Sequence, residues 1–472
     1  MQLDPEACYR ALLTRDPRFD GVFFVAVKTT GIYCRPVCRA RTPRASSCTF
    51  HRSAALAEKA GYRACLRCRP ELAPGNSSTD AVPHLVARAV REIEAGALNE
   101  RSVDQLAGSL GVTDRHLRRA MESELGVTPV ELAQSKRVAL AKQLLHDTDL
   151  PLAEVAFASG FASVRRFNAL FRATFGRPPS ALRATLRRGG ARGAPDAVTL
   201  VLDYRPPLDW ASLTGFLAAR AIPGVERVEA GRYERTVRLG TRTGSLVVEP
   251  HPTRAALVAR VTPGLTGALM AVAARLRALF DLDCQPAAVA SHLSRDPRLA
   301  PLVAARPGLR VPGAFDVFEM SVRAVLGQQV TVRGATTLAG RLVERFGEPG
   351  PAPHRLFPTP ERLAEASVDA IAAIGMPGTR AAALRGLAAA CARGELPADL
   401  TALPGFGPWT AEYVGMRARH LPDAFPASDL GIRKALGGCT AAAALDASRP
   451  WSPWRSYAAM YLWSRLSIEG VL

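Results

Sequence analysis

The chain has 472 residues, 48% of them hydrophobic, and a formal net charge of +19. That size and apolar content support several cores rather than one, and a balance so basic, supplied almost wholly by arginine, favours an anionic partner, nucleic acid first. No apolar run is long enough to span a bilayer, and the start Met1-Gln-Leu-Asp-Pro-Glu6 has neither the basic stretch nor the apolar stretch of a signal peptide.

Residues 1–75 are expected to form a small mixed α/β unit. Val22-Phe-Phe-Val-Ala-Val27 is β-branched and aromatic, hence strand-like, and leads into Cys34-Arg-Pro-Val-Cys38; Cys65-Leu-Arg-Cys68 follows. Two close cysteine pairs separated by a loop suit a tetrahedral zinc ion, each pair giving two thiolates from one turn. Cys34, Cys38, Cys65 and Cys68 are therefore the candidate ligands of one zinc, and a core this small needs the metal as a staple. Zinc also keeps a thiol deprotonated at neutral pH, so the site can hold a nucleophile as well as a fold. On spacing alone, purely structural zinc is the commoner case. Arg35, Arg39 and Arg41 flank the cluster as phosphate contacts or as solvated surface arginines. The other five of the nine cysteines are scattered, and the whole set argues for metal plus buried thiols, not disulfides.

Pro74-Gly-Asn-Ser-Ser78 reads as a linker. Residues 80–188 then read as helical with an internal repeat. In the first copy Val103, Leu106, Ala107 and Leu110 have helical spacing, Gly111 makes a turn, and Thr113 caps a second helix from Asp114 to Met121. The second copy runs from Pro151 through Gly160 and Ser163 to Phe171, with Arg165 and Arg166 early in its second helix. Tandem helix-turn-helix units can place two recognition helices in successive major grooves.

A basic linker, Arg187 to Pro195, precedes residues 196–283. Strands are expected at Thr199–Asp203, Val225–Glu229 and Thr236–Gly240, with helices at Leu213–Arg220 and Ala268–Phe280, giving a small α+β layer. Residues 284–472 are expected to be all-α. They contain Leu403-Pro-Gly405-Phe-Gly407-Pro-Trp409-Thr-Ala-Glu-Tyr413, where two glycines before a helix let backbone N–H groups approach a phosphate. Pro426-Ala-Ser-Asp429-Leu-Gly-Ile follows; an aspartate there is by itself more often a helix N-cap than a catalyst.

Three resemblances sharpen these readings. Thr29-Thr-Gly-Ile-Tyr-Cys34 with the two cysteine pairs closely resembles the N-terminal domain of the Ada adaptive-response family, which implies a zinc site whose Cys34 takes a methyl group from a DNA methylphosphotriester, once per protein. Converting one thiolate to a thioether removes a negative charge and would tighten DNA binding. The repeat, with Gly126-Val-Thr-Pro129 and Gly176-Arg-Pro-Pro179, resembles the AraC family of transcription regulators. Residues from about 199 onward resemble AlkA-type 3-methyladenine glycosylases of the helix-hairpin-helix superfamily, through Asp203-Tyr-Arg-Pro-Pro-Leu-Asp-Trp210, Gly215-Phe-Leu-Ala-Ala-Arg-Ala221 and Leu326-Gly-Gln-Gln329 as well as the hairpin.

This last resemblance implies Asp429 as the catalytic carboxylate, Trp409, Tyr413 and Trp463 as aromatics stacking a flipped base, Gln328 as a substrate-binding residue, Gln329 at the wedge position, where the family's best-known member has a leucine, and Gly405 and Gly407 on DNA. Trp451 and Trp454 are expected in the core. The hairpin position of a Schiff-base lysine is Trp409, so no strand cleavage is expected. A separate O6-methylguanine acceptor domain is not expected either.

The expected protein is thus a multidomain, mainly α chain that excises alkylated bases such as 3-methyladenine and 7-methylguanine and also senses methylphosphotriesters as a transcription regulator. The alternative is a pure regulator whose glycosylase-like module only binds DNA. Expected partners are double-stranded DNA, damaged and promoter, with RNA polymerase a candidate, no membrane, no organic cofactor, and a monomeric, cytoplasmic and nucleoid-associated chain.

Overall fold

A computed structural model describes residues 3–75, 84–186 and 197–468. The linker read at Arg187–Pro195, and Asn76–Ser78 of the shorter one, lie outside the described residues. The chain forms two compact units, Met1–Pro206 with Pro250–Ala274, and Pro207–Glu249 with Arg275–Leu472. Residues 198–206 and 256–261, which the sequence groups with the α+β layer, thus belong to the first unit.

In the first unit, helix Pro5–Thr14 starts at Asp4, whose side chain accepts the Glu6 N–H, and carries proline at its first position. Strands Phe24–Val27, Ile32–Cys34, Cys48–His51 and Arg63–Ala64 form one sheet in which Phe24–Val27 lies between Cys48–His51 and Ile32–Cys34. The parallel pairing of Tyr33 with Ala64 brings the next residues, Cys34 and Cys65, to the same end of neighbouring strands. Topology therefore joins the two cysteine pairs that sequence separates.

The helical repeat follows its caps. Ser102 and Gln105 form a capping box on Val103–Ser109, Thr113 caps Asp114–Leu125, and Ser163 caps Val164–Phe175. Gly111 and Gly160 take φ of +77° and +86° at the corresponding turns. Leu106, Ala107, Leu117 and Met121 are buried in the first copy, and Phe167, Phe171 and Phe175 in the second. Between the copies runs the 19-residue helix Pro129–Asp147, with its own Thr128/Glu131 capping box. Antiparallel strands Val198–Asp203 and Ala256–Val261 complete this unit, Asp203 opposite Ala256.

In the second unit, Glu226–Glu229, Arg232–Leu239 and Arg242–Pro250 form an antiparallel meander. Strands Arg242–Pro250 and Ala256–Val261 were not among the sequence expectations. Helices fill most of the rest; residues 284–472, expected to be all-α, also contain a two-stranded antiparallel sheet, Glu348–Pro349 with Arg355–Leu356. Val322, Leu342, Leu384 and Val414 belong to one buried cluster; Met416, Ile432, Tyr461 and Trp463 belong to another. Helix Pro408–Arg417 contributes to both, and the site residues emerge along it. The expected fold class, mainly α with small α+β parts, is what the chain adopts.

Candidate active site and metal centre

Asp429 caps helix Leu430–Ala435: its Oδ1 accepts the Ile432 N–H at 3.0 Å, the ordinary use of an aspartate at that position. The same oxygen accepts the indole N–H of Trp463 at 2.9 Å, and Oδ2 accepts that of Trp409 at 3.1 Å. Trp409 lies on Pro408–Arg417 and Trp463 on Arg455–Ile468, so three helices converge on one carboxylate. The N-cap reading of Asp429 is realised, and the same carboxylate also accepts two indole N–H groups. The cap and the indoles fix its orientation, as a group acting on a precise point must be fixed.

Asp429 lines a cleft of about 1880 Å³ together with Trp409, Tyr413, Trp463, Gln328 and Gln329. The rings of Trp409 and Tyr413, one helical turn apart, stack at 5.1 Å between centroids and 7° between planes, and Tyr413 meets Trp463 edge-on at 6.2 Å. Trp463 also stacks at 6.4 Å on Phe216, from helix Trp210–Ala218. Trp451 and Trp454 are core residues, 1% and 7% exposed.

The hairpin forms one edge of the cleft. Gly405 has φ of +83°, and a Cβ there would lie 2.6 Å from that of Ala383, so glycine is required. Gly407 is different: nothing lies within 4 Å of where its Cβ would be. It is the N-cap of Pro408–Arg417 without a side-chain cap, so that end is open to a phosphate. The Gln328 amide donates to Gly405 O at 3.0 Å and Thr410 Oγ1 at 3.1 Å, bracing the hairpin. Gln329 is exposed at the rim with φ of +57°.

Several cleft residues carry no role in the sequence reading. Arg417 donates to the Tyr413 hydroxyl at 2.8 Å and to Gly313 O at 3.1 Å, and also to Pro312 O. Its spacing of four from Tyr413 is a legible signal that the two share a helix face. Arg220 places its guanidinium 3.7 Å from the Phe216 ring centroid, and Arg417 lies 4.8 Å from the same ring. Burial alone would raise the Tyr413 phenol, but Arg417 and Arg220 outweigh it and hold it below its usual value. Gly431 packs under the site: a Cβ there would lie 3.1 Å from both Asp429 Oδ1 and Trp463 Cδ1.

In the first unit, the Sγ atoms of Cys34, Cys38, Cys65 and Cys68 all lie within 4.8 Å of one another. Cys38 and Cys65 are buried, whereas Cys34 and Cys68 are partly exposed. Four converging sulfurs fit a tetrahedral zinc ion. Among the described residues no other group of three or more His, Cys, Asp or Glu side chains converges in this way.

Arg35 departs from the phosphate-contact expectation. It is 7% exposed, and its guanidinium bonds Asp20 and, at 2.7 Å, Asp203. Burial works against its charge, and the two carboxylates more than offset that. Arg254 also donates to Asp203, at 2.7 Å. Arg69, next to Cys68, pairs with Asp147 at 2.8 Å, and Lys142 donates to Cys65 O at 3.0 Å. The cysteine region is thereby tied to helix Pro129–Asp147 and to strand Val198–Asp203. Arg39 and Arg41 are exposed beside the cluster, and Arg165 and Arg166 are exposed on Val164–Phe175.

The family models that match are the metal binding domain of Ada over residues 7–71, a helix-turn-helix domain over 106–185, the AlkA N-terminal domain over 199–316, and the HhH-GPD superfamily base excision DNA repair protein over 322–446. A Mycobacterium tuberculosis protein named "Probable bifunctional transcriptional activator/DNA repair enzyme AlkA" is 42% identical over 487 residues, covering 99% of this chain and 97% of that protein. Escherichia coli DNA-3-methyladenine glycosylase 2 is 39% identical over 56% of this chain and 95% of its own length. Escherichia coli Ada, a bifunctional transcriptional activator/DNA repair enzyme, is 36% identical over 29% of this chain and 37% of its own length. The solved 3-methyladenine DNA-glycosylase from Archaeoglobus fulgidus shares the fold at a TM-score of 0.50, with 23% identity, over 58% of this chain and 100% of that one. With its Ada-type metal-binding and helix-turn-helix regions joined to AlkA-type helix-hairpin-helix regions, the chain belongs to the AlkA family of bifunctional transcriptional activator/DNA repair proteins.

Proposed function

We propose that the chain answers DNA alkylation in two ways: its second unit removes alkylated bases such as 3-methyladenine and 7-methylguanine, and its first unit senses methylphosphotriesters and regulates transcription. The observation that carries the first half is the Asp429 carboxylate held by two indole N–H groups in an aromatic-lined cleft. A base methylated on a ring nitrogen is positively charged and already a good leaving group. Flipped from the stack, it lies among Trp409, Tyr413 and Trp463. The C1′–N bond breaks with its electron pair going to the base. Asp429 stabilises the positive sugar and orients the water that adds at C1′ and gives up a proton. The hairpin at Gly405 and Gly407 binds the backbone, and Gln329, with Gln328 bracing the hairpin behind it, stands where the extruded nucleotide leaves a gap. With Trp409 in place of an amine nucleophile, the reaction ends at the abasic site.

In the first unit, Cys34, Cys38, Cys65 and Cys68 would hold zinc, which would supply the charge that keeps the thiols ionised. Cys34 Sγ attacks the methyl carbon of a methylphosphotriester. The carbon–oxygen bond breaks, its electrons return to the phosphodiester, and the thiolate becomes a thioether. The site loses one negative charge, which favours DNA binding by Arg41 and by Arg165 and Arg166 of the second recognition helix.

Methylated DNA incubated with wild type and with Asp429→Asn tests the enzyme. Wild type releases 3-methyladenine and 7-methylguanine, and the variant loses about 10²-fold or more. No release by wild type, or equal release by the variant, leaves only the pure-regulator reading.

A further inference from the structure

The cleft that takes the base has a cationic floor. Phe216 and Tyr413, two of its aromatic rings, are each met by guanidinium groups: Arg220 lies 3.7 Å and Arg417 4.8 Å from the Phe216 centroid, and Arg417 lies 5.5 Å from that of Tyr413. A positively charged base stacked on these rings shares them with two cations already there, so the cation–π attraction available to it is reduced.

The two arginines are not equivalent. Arg417 is buried and spends its N–H groups on Pro312 O, Gly313 O and the Tyr413 hydroxyl, so it is part of the scaffold. Arg220 lies just beyond helix Trp210–Ala218, is partly exposed and lines the cleft. Its side chain makes a long 3.4 Å contact to Phe216 O, and its charge helps to hold the Tyr413 phenol below its usual value. A guanidinium has five N–H donors in a planar fork, so donors remain for the edge of a base.

From this geometry we propose that Arg220 is the leaving-group residue for uncharged damaged bases, donating hydrogen bonds to the acceptor edge of a flipped 6-keto purine and opposing the positively charged ones. This rests on the base-excision reading of the same cleft. The chemistry separates the two substrate types. A cationic base departs neutral and needs no help. A neutral base departs as an anion when the C1′–N bond breaks and its electron pair moves to the ring. Hydrogen bonds from a fixed cation stabilise that anion as it forms. The anion then takes a proton, while the water that adds at C1′ loses one, so atoms and charge balance without an added reactant. Arg220 thus lowers the barrier for one class and raises it for the other.

The test is single-turnover excision from two duplexes, one with a single hypoxanthine, which is neutral, and one with a single 7-methylguanine, which is cationic, using wild type, Arg220→Met and Arg220→Lys. Arg220→Met is expected to slow hypoxanthine release about 10²-fold and to speed 7-methylguanine release about threefold to tenfold. Arg220→Lys, which keeps the charge, is expected to fall between wild type and Arg220→Met on both duplexes. A general structural loss would slow both substrates together in Arg220→Met, and that result overturns the proposal. So does an unchanged hypoxanthine rate, or a wild type that releases 7-methylguanine but no hypoxanthine. A wild type that releases neither base overturns the base-excision reading itself.

Discussion

Trp463 donates its indole N–H to Asp429 Oδ1 at 2.9 Å, the same oxygen that caps helix Leu430–Ala435. One carboxylate oxygen thus serves a helix terminus and a cleft aromatic at once. Trp463→Phe keeps the ring and deletes the donor. Excision of 7-methylguanine is expected to slow about tenfold with KM little changed, since the base still stacks but the carboxylate is less firmly aimed. A rise in KM at unchanged kcat would mean that Trp463 acts through stacking alone.

Gly431 leaves the space in which this contact forms. In Gly431→Ala the new Cβ lies 3.1 Å from Asp429 Oδ1 and from Trp463 Cδ1. Helix propensity favours alanine, so net stability should change by only about 1 kcal/mol. Activity should fall more than stability does. Urea titration beside single-turnover kinetics checks this, and full activity in the variant would show that the contact tolerates displacement.

Arg35 is enclosed by Asp20 and Asp203, all three with little solvent access. Arg35→Met takes the guanidinium away from two buried carboxylates, a loss on the order of 3–5 kcal/mol. Hydrogen exchange should rise in Val198–Asp203 as well as around Cys34. Exchange confined to residues near Cys34 would show that the Asp203 pair contributes little to the strand.

Zinc removal should act on the same region. Treatment with a chelator, or Cys38→Ala, is expected to raise exchange across the sheet of Phe24–Val27 and Ile32–Cys34, because its core is small and the cysteines close it. Metal content by mass spectrometry and exchange by peptide mapping report this together. A sheet that keeps its protection without metal would show that the apolar core suffices.

Asp281 introduces a pH dependence in the second unit. Burial, opposed by Arg310 and by the Tyr457 hydroxyl at 2.8 Å, pushes its carboxyl up to about 6. The unfolded value is about 4, so between about pH 4 and pH 6 the folded protein holds the proton that the unfolded chain releases, and stability falls as pH rises through that window. The loss is on the order of 3 kcal/mol, complete above about pH 7. Asp281→Asn should flatten this slope in urea titrations at pH 4.5 and 7.5; an unchanged slope would assign it elsewhere.

Much of this molecule was legible in the sequence because its signals are local. The cysteine spacing, the caps at Thr113 and Ser163, the turns at Gly111 and Gly160 and the hairpin glycines each depend on a few neighbouring residues. Short-range geometry settles those positions before the chain folds. Asp429, Trp409 and Tyr413 stand out only through the resemblance to AlkA-type glycosylases, since Asp429 by itself reads as a helix N-cap.

What only the tertiary structure decided lies between residues far apart in the chain. Arg35 stands in an arginine-rich surface-like segment, and its burial depends on Asp203, 168 positions away. Gln328 reads as a substrate-binding residue, and only the fold shows its amide 3.0 Å from Gly405 O. Trp451 and Trp463 are the same residue type on neighbouring elements. One goes to the core and the other to Asp429, because a buried indole N–H must find an acceptor and the fold supplies a different carboxylate to each, Asp296 and Asp429.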